Sequence, residues 1–163
     1  LALKALARLM AADITTPAQA INTIHPDGIR PWCPDLAGYK SFFCSLSHDR
    51  RFAVAASAEE PIGVDVEYLS ERVLKARHLY MDTKEIALAD NSPLGSVAAS
   101  LRIWSIKECV TKAAQTPITS SWKDTSVEES GKNESRFRRH GRPCTAYHDM
   151  VDDHLFTLVK GDL

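Results

Sequence analysis

The sequence predicts a domain of the α+β class, in which helices and strands are segregated along the chain. Apolar and β-branched residues are concentrated in two short runs, residues 51–58 and 62–67, which is typical of strands. A helical pattern then extends from Ser92 to about Ala114, and strand-like segments return near the C terminus. The resulting order of helix, strands, helices and strands is the basis of the α+β assignment.

Residues 1–45 are predicted to form an N-terminal arm, and residues 46–163 the main domain. In residues 1–11 the leucines recur at helical spacing on one side, which predicts a short helix. A strand is predicted at residues 20–24. Three prolines and one glycine within residues 25–35 forbid regular structure, so this segment is predicted to be a loop.

The two apolar runs are separated by a short polar turn, so a β-hairpin between residues 51–58 and 62–67 is the simplest arrangement. Asp82 followed by Glu85 forms a capping-box pattern, which predicts a helix start. Ser92-Pro93 is a start signal for the long helix. The middle of the domain is therefore predicted to be helical.

The C-terminal segments at residues 144–150 and 154–161 flank an acidic turn, Asp152-Asp153, and both are predicted to be strands. A polar, glycine-containing segment precedes them and ends in a basic run. We interpret this run as a solvated turn between strands; it consists of Arg136, Arg138, Arg139 and Arg142.

The composition indicates an ordinary globular protein, with 44% hydrophobic and 25% charged residues. A formal net charge of -1 supplies no global positive field for nucleic acid. No apolar run approaches the roughly 20 residues that span a bilayer, so we expect a soluble, cytoplasmic protein without a membrane partner. The cysteines form neither a CxxC pair nor a zinc pattern, and we expect free thiols at Cys33, Cys44, Cys109 and Cys144.

The ends of the sequence suggest a longer parent chain. The chain begins at Leu1 rather than at a methionine and stops at Leu163, just after an apolar run. We therefore expect a fragment of a longer polypeptide or a processed protein, with neighbouring domains outside the present sequence.

Two acids alternate along a predicted strand, so that Asp65 and Glu67 project from one face and Val64 and Val66 from the other. One interpretation is a half-buried strand with a solvated acidic face, which is common in proteins. The other is a cation site. The strand alone does not decide between them.

The long helix places Trp104, Glu108 and Lys112 four residues apart, and therefore on one face. Glu108 and Lys112 could form an exposed helical salt bridge. Glu108 could instead join the two strand acids in an oxygen-rich site of the kind that suits Mg²⁺ and phosphate oxygens. Lys112 would then face a phosphate, and the chemistry best supported is displacement at phosphorus.

A third group of polar residues directly precedes the first apolar run. Ser47 and His48 are followed closely by Arg50 and Arg51. A single histidine in such a place is usually structural. A hydroxyl, an imidazole and two guanidinium groups within five residues are well suited to binding a phosphate.

Together these motifs resemble the 4′-phosphopantetheinyl transferase superfamily, in particular its surfactin-type branch. The segment SLSHDRRFAVAASAEEPIGVDVE is followed, 43 positions from Asp65 to Glu108, by WSIKECVTKA, which resembles the family's paired GxDxE strand and W(S/C)xKExxxK helix. Upstream, GIRPWCPDL resembles its G-K-P segment, with Arg30 in place of the usual lysine. The resemblance implies an antiparallel sheet packed against a long helix, with a shortened first half.

Carried over by position, the resemblance implies that Asp65, Glu67 and Glu108 hold Mg²⁺ on the diphosphate of coenzyme A, with Lys112 on the phosphates. It further implies that the coenzyme, including its 3′-phosphate, is contacted by Arg30, Ser47 and His48. Lys107 would orient the helix or meet the carrier protein, and Glu85 would be structural.

The implied reaction moves the 4′-phosphopantetheine group from coenzyme A to a serine of an acyl or peptidyl carrier protein and releases 3′,5′-ADP. Glu108 or a water on the metal would take the serine proton. The alternative is a non-catalytic domain of a large synthase that binds a carrier protein or coenzyme A. We also expect a homo-oligomer or a neighbouring synthase domain to complete the site, and the basic run could meet an acidic carrier helix.

Overall fold

The structure, a computed structural model, describes residues 43–161 and residue 163. The predicted helix at residues 1–11, the strand at 20–24, the loop at 25–35 and Arg30 all lie outside the described residues. The assignment of residues 1–45 to an N-terminal arm therefore stays a prediction.

Within the described residues, seven strands and four helices follow one another along the chain. The strands are β1 (Phe43–His48), β2 (Ala53–Ala58), β3 (Ile62–Tyr68), β4 (Thr125–Ser130), β5 (Glu134–Arg139), β6 (Arg142–Val151) and β7 (His154–Lys160). The helices are α1 (Arg72–Tyr80), α2 (Thr83–Asp90), α3 (Ser96–Ala114) and α4 (Ile118–Asp124). The predicted α+β class is confirmed.

The main sheet of the described chain has the strand order β3-β7-β6-β5-β4, and all of its neighbouring strands are antiparallel. The long helix α3 packs across it, most closely against β3 and β7. Their contact forms the core, where Ile103, Ile106 and Val110 of α3 meet Phe137 and Val159 of the sheet. The antiparallel sheet packed against a long helix is therefore confirmed.

The predicted hairpin between residues 51–58 and 62–67 is wrong in its pairing, although both runs form strands. β2 pairs with β1, with Ser47 opposite Val54, whereas β3 pairs with β7, with Val64 opposite Leu158. β1 lies at the free edge of β3, where the Ser45 hydroxyl accepts a hydrogen bond of 2.9 Å from the Val64 amide. An apolar run specifies a strand, but its partner depends on contacts that are distant in sequence.

The helix signals are largely confirmed. The Asp82 side chain accepts from the Glu85 amide at 2.8 Å and Glu85 accepts from the Asp82 amide at 3.0 Å, which completes the predicted capping box of α2. Helix α3 ends at Ala114 as predicted but begins at Ser96. The later start follows because Ser92 closes a turn onto the Leu94 amide, so its hydroxyl caps the turn and not the helix.

The acidic turn between the last two strands is confirmed. Asp152 and Asp153 have positive φ values of 48° and 60°. Such values at both central residues favour a tight hairpin whose twist matches the strands β6 and β7.

The interpretation of the basic run as a solvated turn is wrong, because Arg136, Arg138 and Arg139 lie in strand β5. Side chains alternate along it between the exposed face and the face covered by α3. Arg138 pairs with Glu128 of β4 at 2.8 Å. Part of the positive charge of this basic segment is therefore paired with negative charge on the neighbouring strand.

None of the helices within residues 43–161 combines the length and the apolar character that a membrane crossing requires. Cys109 and Cys144 are free thiols, as predicted for these two positions.

A buried imidazole beneath α3 leads to a prediction about acid stability. His148 Nδ1 lies 3.0 Å from Thr157 Oγ1, its Nε2 lies 2.8 Å from Ser135 Oγ, and burial lowers its pKa to about 3, with the Arg102 charge acting in the same direction. Below pH 6.5 the unfolded chain binds a proton that the folded chain does not. We therefore expect the free energy of unfolding to fall as the pH falls from 6.5 to about 3, by at most roughly 1.4 kcal/mol per pH unit from this group.

Urea unfolding between pH 4 and pH 7 measures this slope. His148→Gln is expected to flatten it, whereas His78→Gln, which changes an exposed imidazole on α1, is expected to leave it unchanged. Equal slopes in the wild type and in His148→Gln would contradict the assignment.

Candidate functional site

A glycine brings the strand and the helix of the site together. A Cβ built on Gly63 of β3 would lie 1.9 Å from the backbone carbonyl oxygen of Cys109 in α3. Such a distance is impossible for a real side chain, so only glycine permits this approach of the two backbones. The acids that follow on β3 are thereby held beside the α3 residues next to Cys109.

Asp65 is the most enclosed acid of the site, with an exposed fraction of 3%. The Ser105 hydroxyl donates to its Oδ2 at 2.8 Å, while the Ser47 hydroxyl at 2.9 Å and Lys112 Nζ at 2.8 Å donate to Oδ1. Asp65 is buried and accepts hydrogen bonds from three donors. The interpretation of this strand as a solvated acidic face is therefore wrong for Asp65.

Glu67 lies at the edge of the same site and is half-buried. Trp104 Nε1 donates to Glu67 Oε1 at 2.9 Å. Burial raises the pKa of the Glu67 carboxyl, the Trp104 hydrogen bond acts against this, and the Asp65 charge raises it further. Glu67 is therefore a carboxylate for which additional positive charge would be favourable.

Glu108 projects from α3 toward the two strand acids. Burial raises its pKa to about 7, and the negative charges of Asp65 and Glu67 act in the same direction against the opposing charge of Lys112. Glu108 accepts no hydrogen bond and forms no ion pair with any residue that the structure describes. Lys112 pairs with Asp65, so the interpretation of Glu108 and Lys112 as an exposed helical salt bridge is wrong.

The structure brings together most of the residues predicted for the site. Asp65, Glu67, Glu108, Lys112 and Ser47 lie where β3, β1 and α3 meet. His48 is exposed at the end of β1, one residue beyond Ser47. Arg30 lies outside the described residues, so its predicted contact with the coenzyme is untested.

Lys107 lies away from these acids, on the buried side of α3. Its Nζ pairs with Glu85 Oε2 at 2.7 Å, and the side chains are only 2% and 1% exposed. Glu85 Oε1 also accepts from the Val127 amide at 2.8 Å. This position fits the prediction that Lys107 orients the helix and excludes direct contact with a carrier protein, while the structural role of Glu85 is confirmed.

Sequence reasoning missed the two residues that hold the strand acids. The four-residue spacing placed Trp104 on the correct face of α3, but it did not identify the indole as a donor to Glu67. Ser105 is the serine of the W(S/C)xKExxxK pattern, but that pattern did not identify the Asp65 carboxylate as its partner.

The acids have the chemistry of a site for a hard cation. Three oxygen-donor side chains line the contact of β3 and α3, the pKa values of Glu67 and Glu108 are raised, and Glu108 lacks a hydrogen-bond donor within the described chain. Carboxylate oxygens are the ligands that Mg²⁺ prefers. In the arrangement that the structure shows, however, no three acidic, imidazole or thiol groups of residues 43–161 lie close enough to hold one ion.

The fold and the site together define a class of protein. It is an α+β domain in which three carboxylates and a lysine lie where the sheet edge meets the long helix. The sequence profile of the 4′-phosphopantetheinyl transferase superfamily matches residues 61–159, more than half of the chain. The chain belongs to this superfamily.

A relative supports the same assignment. The chain is similar to a 4′-phosphopantetheinyl transferase from Aneurinibacillus migulanus, with 31% identity over 85 residues. The match covers 49% of this chain and 36% of that protein, so the chain spans only about a third of the relative's length.

Proposed function

We propose that the protein transfers the 4′-phosphopantetheine group of coenzyme A to a serine of an acyl or peptidyl carrier protein and releases 3′,5′-ADP. The observation that carries the proposal is the placement of Asp65, Glu67, Glu108 and Lys112 at the contact of β3 and α3 in a chain of this superfamily. An acidic cluster with one adjacent lysine suits a reaction in which charge is moved at a diphosphate.

The chemistry of the donor set suits Mg²⁺, and Asp65, Glu67 and Glu108 would hold the ion if their carboxylates came closer together than the structure places them. A bound magnesium ion would neutralise negative charge on the diphosphate of coenzyme A. Lys112 supports the same purpose, because its side chain is 26% exposed and can reach a phosphate at the mouth of the site. We assign contacts with the remainder of the coenzyme to Arg30, Ser47 and His48.

Glu108 is the residue that we assign to proton transfer. The carrier serine oxygen attacks the β-phosphorus of coenzyme A, and its proton passes to the Glu108 carboxylate. The bond from that phosphorus to the bridging oxygen breaks, and 3′,5′-ADP leaves with the negative charge near Lys112.

Mass spectrometry of apo-carrier proteins incubated with the chain, coenzyme A and Mg²⁺ tests the proposal. We expect one carrier serine to gain the phosphopantetheine mass. A rise in melting temperature with coenzyme A and Mg²⁺, without any transfer by this chain or by one extended at its N terminus, would contradict the enzyme and favour a binding domain.

A homo-oligomer or a neighbouring synthase domain that completes the coenzyme site is part of the proposal. The partial exposure of Lys112, Glu67 and Glu108 supports it. Light scattering, combined with transfer assays on the present and on an extended chain, tests it. A monomer as active as the extended chain would contradict it.

His48→Ala is expected to weaken the binding of coenzyme A more than that of dephospho-coenzyme A. The reason is that we assign the exposed imidazole to the 3′-phosphate, which only the first ligand carries. Isothermal titration with both ligands measures the difference, and His78→Ala provides a control at another exposed histidine. Equal losses for the two ligands would contradict this assignment.

A further inference from the structure

Two neighbouring residues of α3 each hold one of the two acids of β3. Trp104 donates to Glu67 at 2.9 Å, and Ser105 donates to Asp65 at 2.8 Å. We propose that Trp104 and Ser105 are positioning residues, which hold the two strand carboxylates at the contact of β3 and α3, where a divalent cation would bind together with the phosphates of coenzyme A. This inference rests on the proposed function and deepens it.

Ser105 controls the rotation of the Asp65 carboxylate. Its hydroxyl is fully buried and donates to Oδ2, whereas Ser47 and Lys112 both donate to Oδ1. The two oxygens therefore have different partners, and the carboxylate, which is 3% exposed, cannot rotate without losing a hydrogen bond. Oδ1 is thereby kept beside Lys112.

Trp104 holds Glu67 from a fixed ring. The indole packs against Tyr80 and Trp122, with ring centroids 5.0 Å and 5.7 Å away. Aromatic contacts of this kind restrict the ring, and so they fix the direction of the Nε1 donor. The Glu67 side chain is long and flexible, and no other group among residues 43–161 donates a hydrogen bond to it. The Trp104 donor is therefore the group that limits the rotamers of Glu67.

The same helix and the same aromatic cluster contain residues that pack without holding an acid. Ser100 is a fully buried serine of α3 whose Oγ has no hydrogen-bond partner. Trp122 contributes its ring to the cluster, while its buried Nε1 also has no partner. Ser100 is therefore a control for Ser105, and Trp122 a control for Trp104. Each control has similar surroundings but donates no hydrogen bond to a carboxylate.

The first test compares Ser105→Ala and Ser105→Cys with Ser100→Ala in the full chain. Electron paramagnetic resonance measures Mn²⁺ binding in the presence of coenzyme A, and it reports on the site without requiring turnover. Loss of a hydrogen bond to a metal-holding group typically weakens metal binding at least about tenfold, which we expect for Ser105→Ala. Cysteine retains a weak donor of similar size and is expected to be intermediate. Ser100→Ala should bind Mn²⁺ as the wild type does.

The second test compares Trp104→Phe with Trp122→Phe. Both substitutions keep an aromatic ring in the cluster, but only the first removes a donor from a carboxylate. We expect Trp104→Phe to weaken Mn²⁺ binding and Trp122→Phe to leave it unchanged, even where the two variants lose similar thermal stability. The direction of the difference separates positioning from packing.

The outcomes distinguish this inference from the proposed function. Suppose that the wild type binds Mn²⁺ and transfers the group. If Ser105→Ala and Trp104→Phe then bind Mn²⁺ as tightly as the wild type, this inference is overturned and the proposed function is not. Equal weakening in Ser100→Ala or Trp122→Phe would also overturn it, since the effect would then come from packing. A wild type that binds no divalent cation with coenzyme A would overturn both.

Discussion

Glu108→Gln is expected to reduce transfer by orders of magnitude while making the folded chain more stable above pH 7. The glutamine has nearly the same shape but can neither accept the serine proton nor supply a negative charge for a cation. Loss of a single preorganised charged group at a reacting centre costs about 100- to 1,000-fold in rate. We expect a loss of this size in turnover.

The gain in stability follows from the raised pKa of Glu108. Burial and the neighbouring acids raise it from 4.5 to about 7, so between these pH values the folded chain keeps a proton that the unfolded chain releases. Stability from this group therefore falls as the pH rises from 4.5 to about 7, and stays low above that. A glutamine at this position does not titrate. The free energy of unfolding of Glu108→Gln, relative to that of the wild type, should therefore rise between pH 4.5 and about 7.

Urea unfolding without added metal, at pH 5 and pH 8, measures the stability difference, and a single-turnover assay at pH 8 measures transfer. Glu128→Gln is the matched control, because Glu128 is an exposed acid of β4 paired with Arg138. It should change neither quantity appreciably. Near-normal turnover of Glu108→Gln with saturating Mg²⁺ would contradict the role of Glu108 in the reaction.

The parts of the fold that depend on neighbouring residues could be predicted from the sequence. The capping box at Asp82 and Glu85 and the end of α3 are set by groups within one helical turn. The alternation of Asp65 and Glu67 along a strand and the four-residue spacing of Glu108 and Lys112 likewise identify shared faces. Local geometry is enough to place these side chains on the correct side of their elements.

The parts that depend on distant residues could not be predicted in this way. Both β2 and β3 have strand composition, yet their partners β1 and β7 are chosen by packing across the whole domain. Lys112 could pair with Glu108 on its own helix, but the burial of Asp65 makes that carboxylate the stronger partner for a cation. Ser105 was missed for the same reason, since its partner is 40 positions away.

Gly63→Ala is expected to have the largest effect on the fold. The added methyl group would lie 1.9 Å from the Cys109 carbonyl oxygen, 2.6 Å from its carbon and 2.9 Å from the Cys109 Cα. All three are backbone atoms of the core helix, so no side chain can rotate away and α3 itself would have to move. Overpacking of a rigid core usually costs about 1–3 kcal/mol, and a collision with backbone belongs at or above the upper end.

The displacement should also remove transfer in whatever fraction still folds. Glu108 is the residue next to Cys109, and Ser105 lies one turn earlier, so moving α3 away from β3 separates Glu108 and Ser105 from Asp65. Gly95→Ala is the matched control, because Gly95 caps the same helix and has open space around it, with a positive φ of 82° as its only obstacle. That strain should cost on the order of 1–3 kcal/mol without moving the site. Circular dichroism and urea unfolding measure the two variants, followed by transfer per folded molecule. A Gly63→Ala chain that unfolds at the urea concentration of the wild type and keeps full transfer would show that β3 and α3 do not need this close approach.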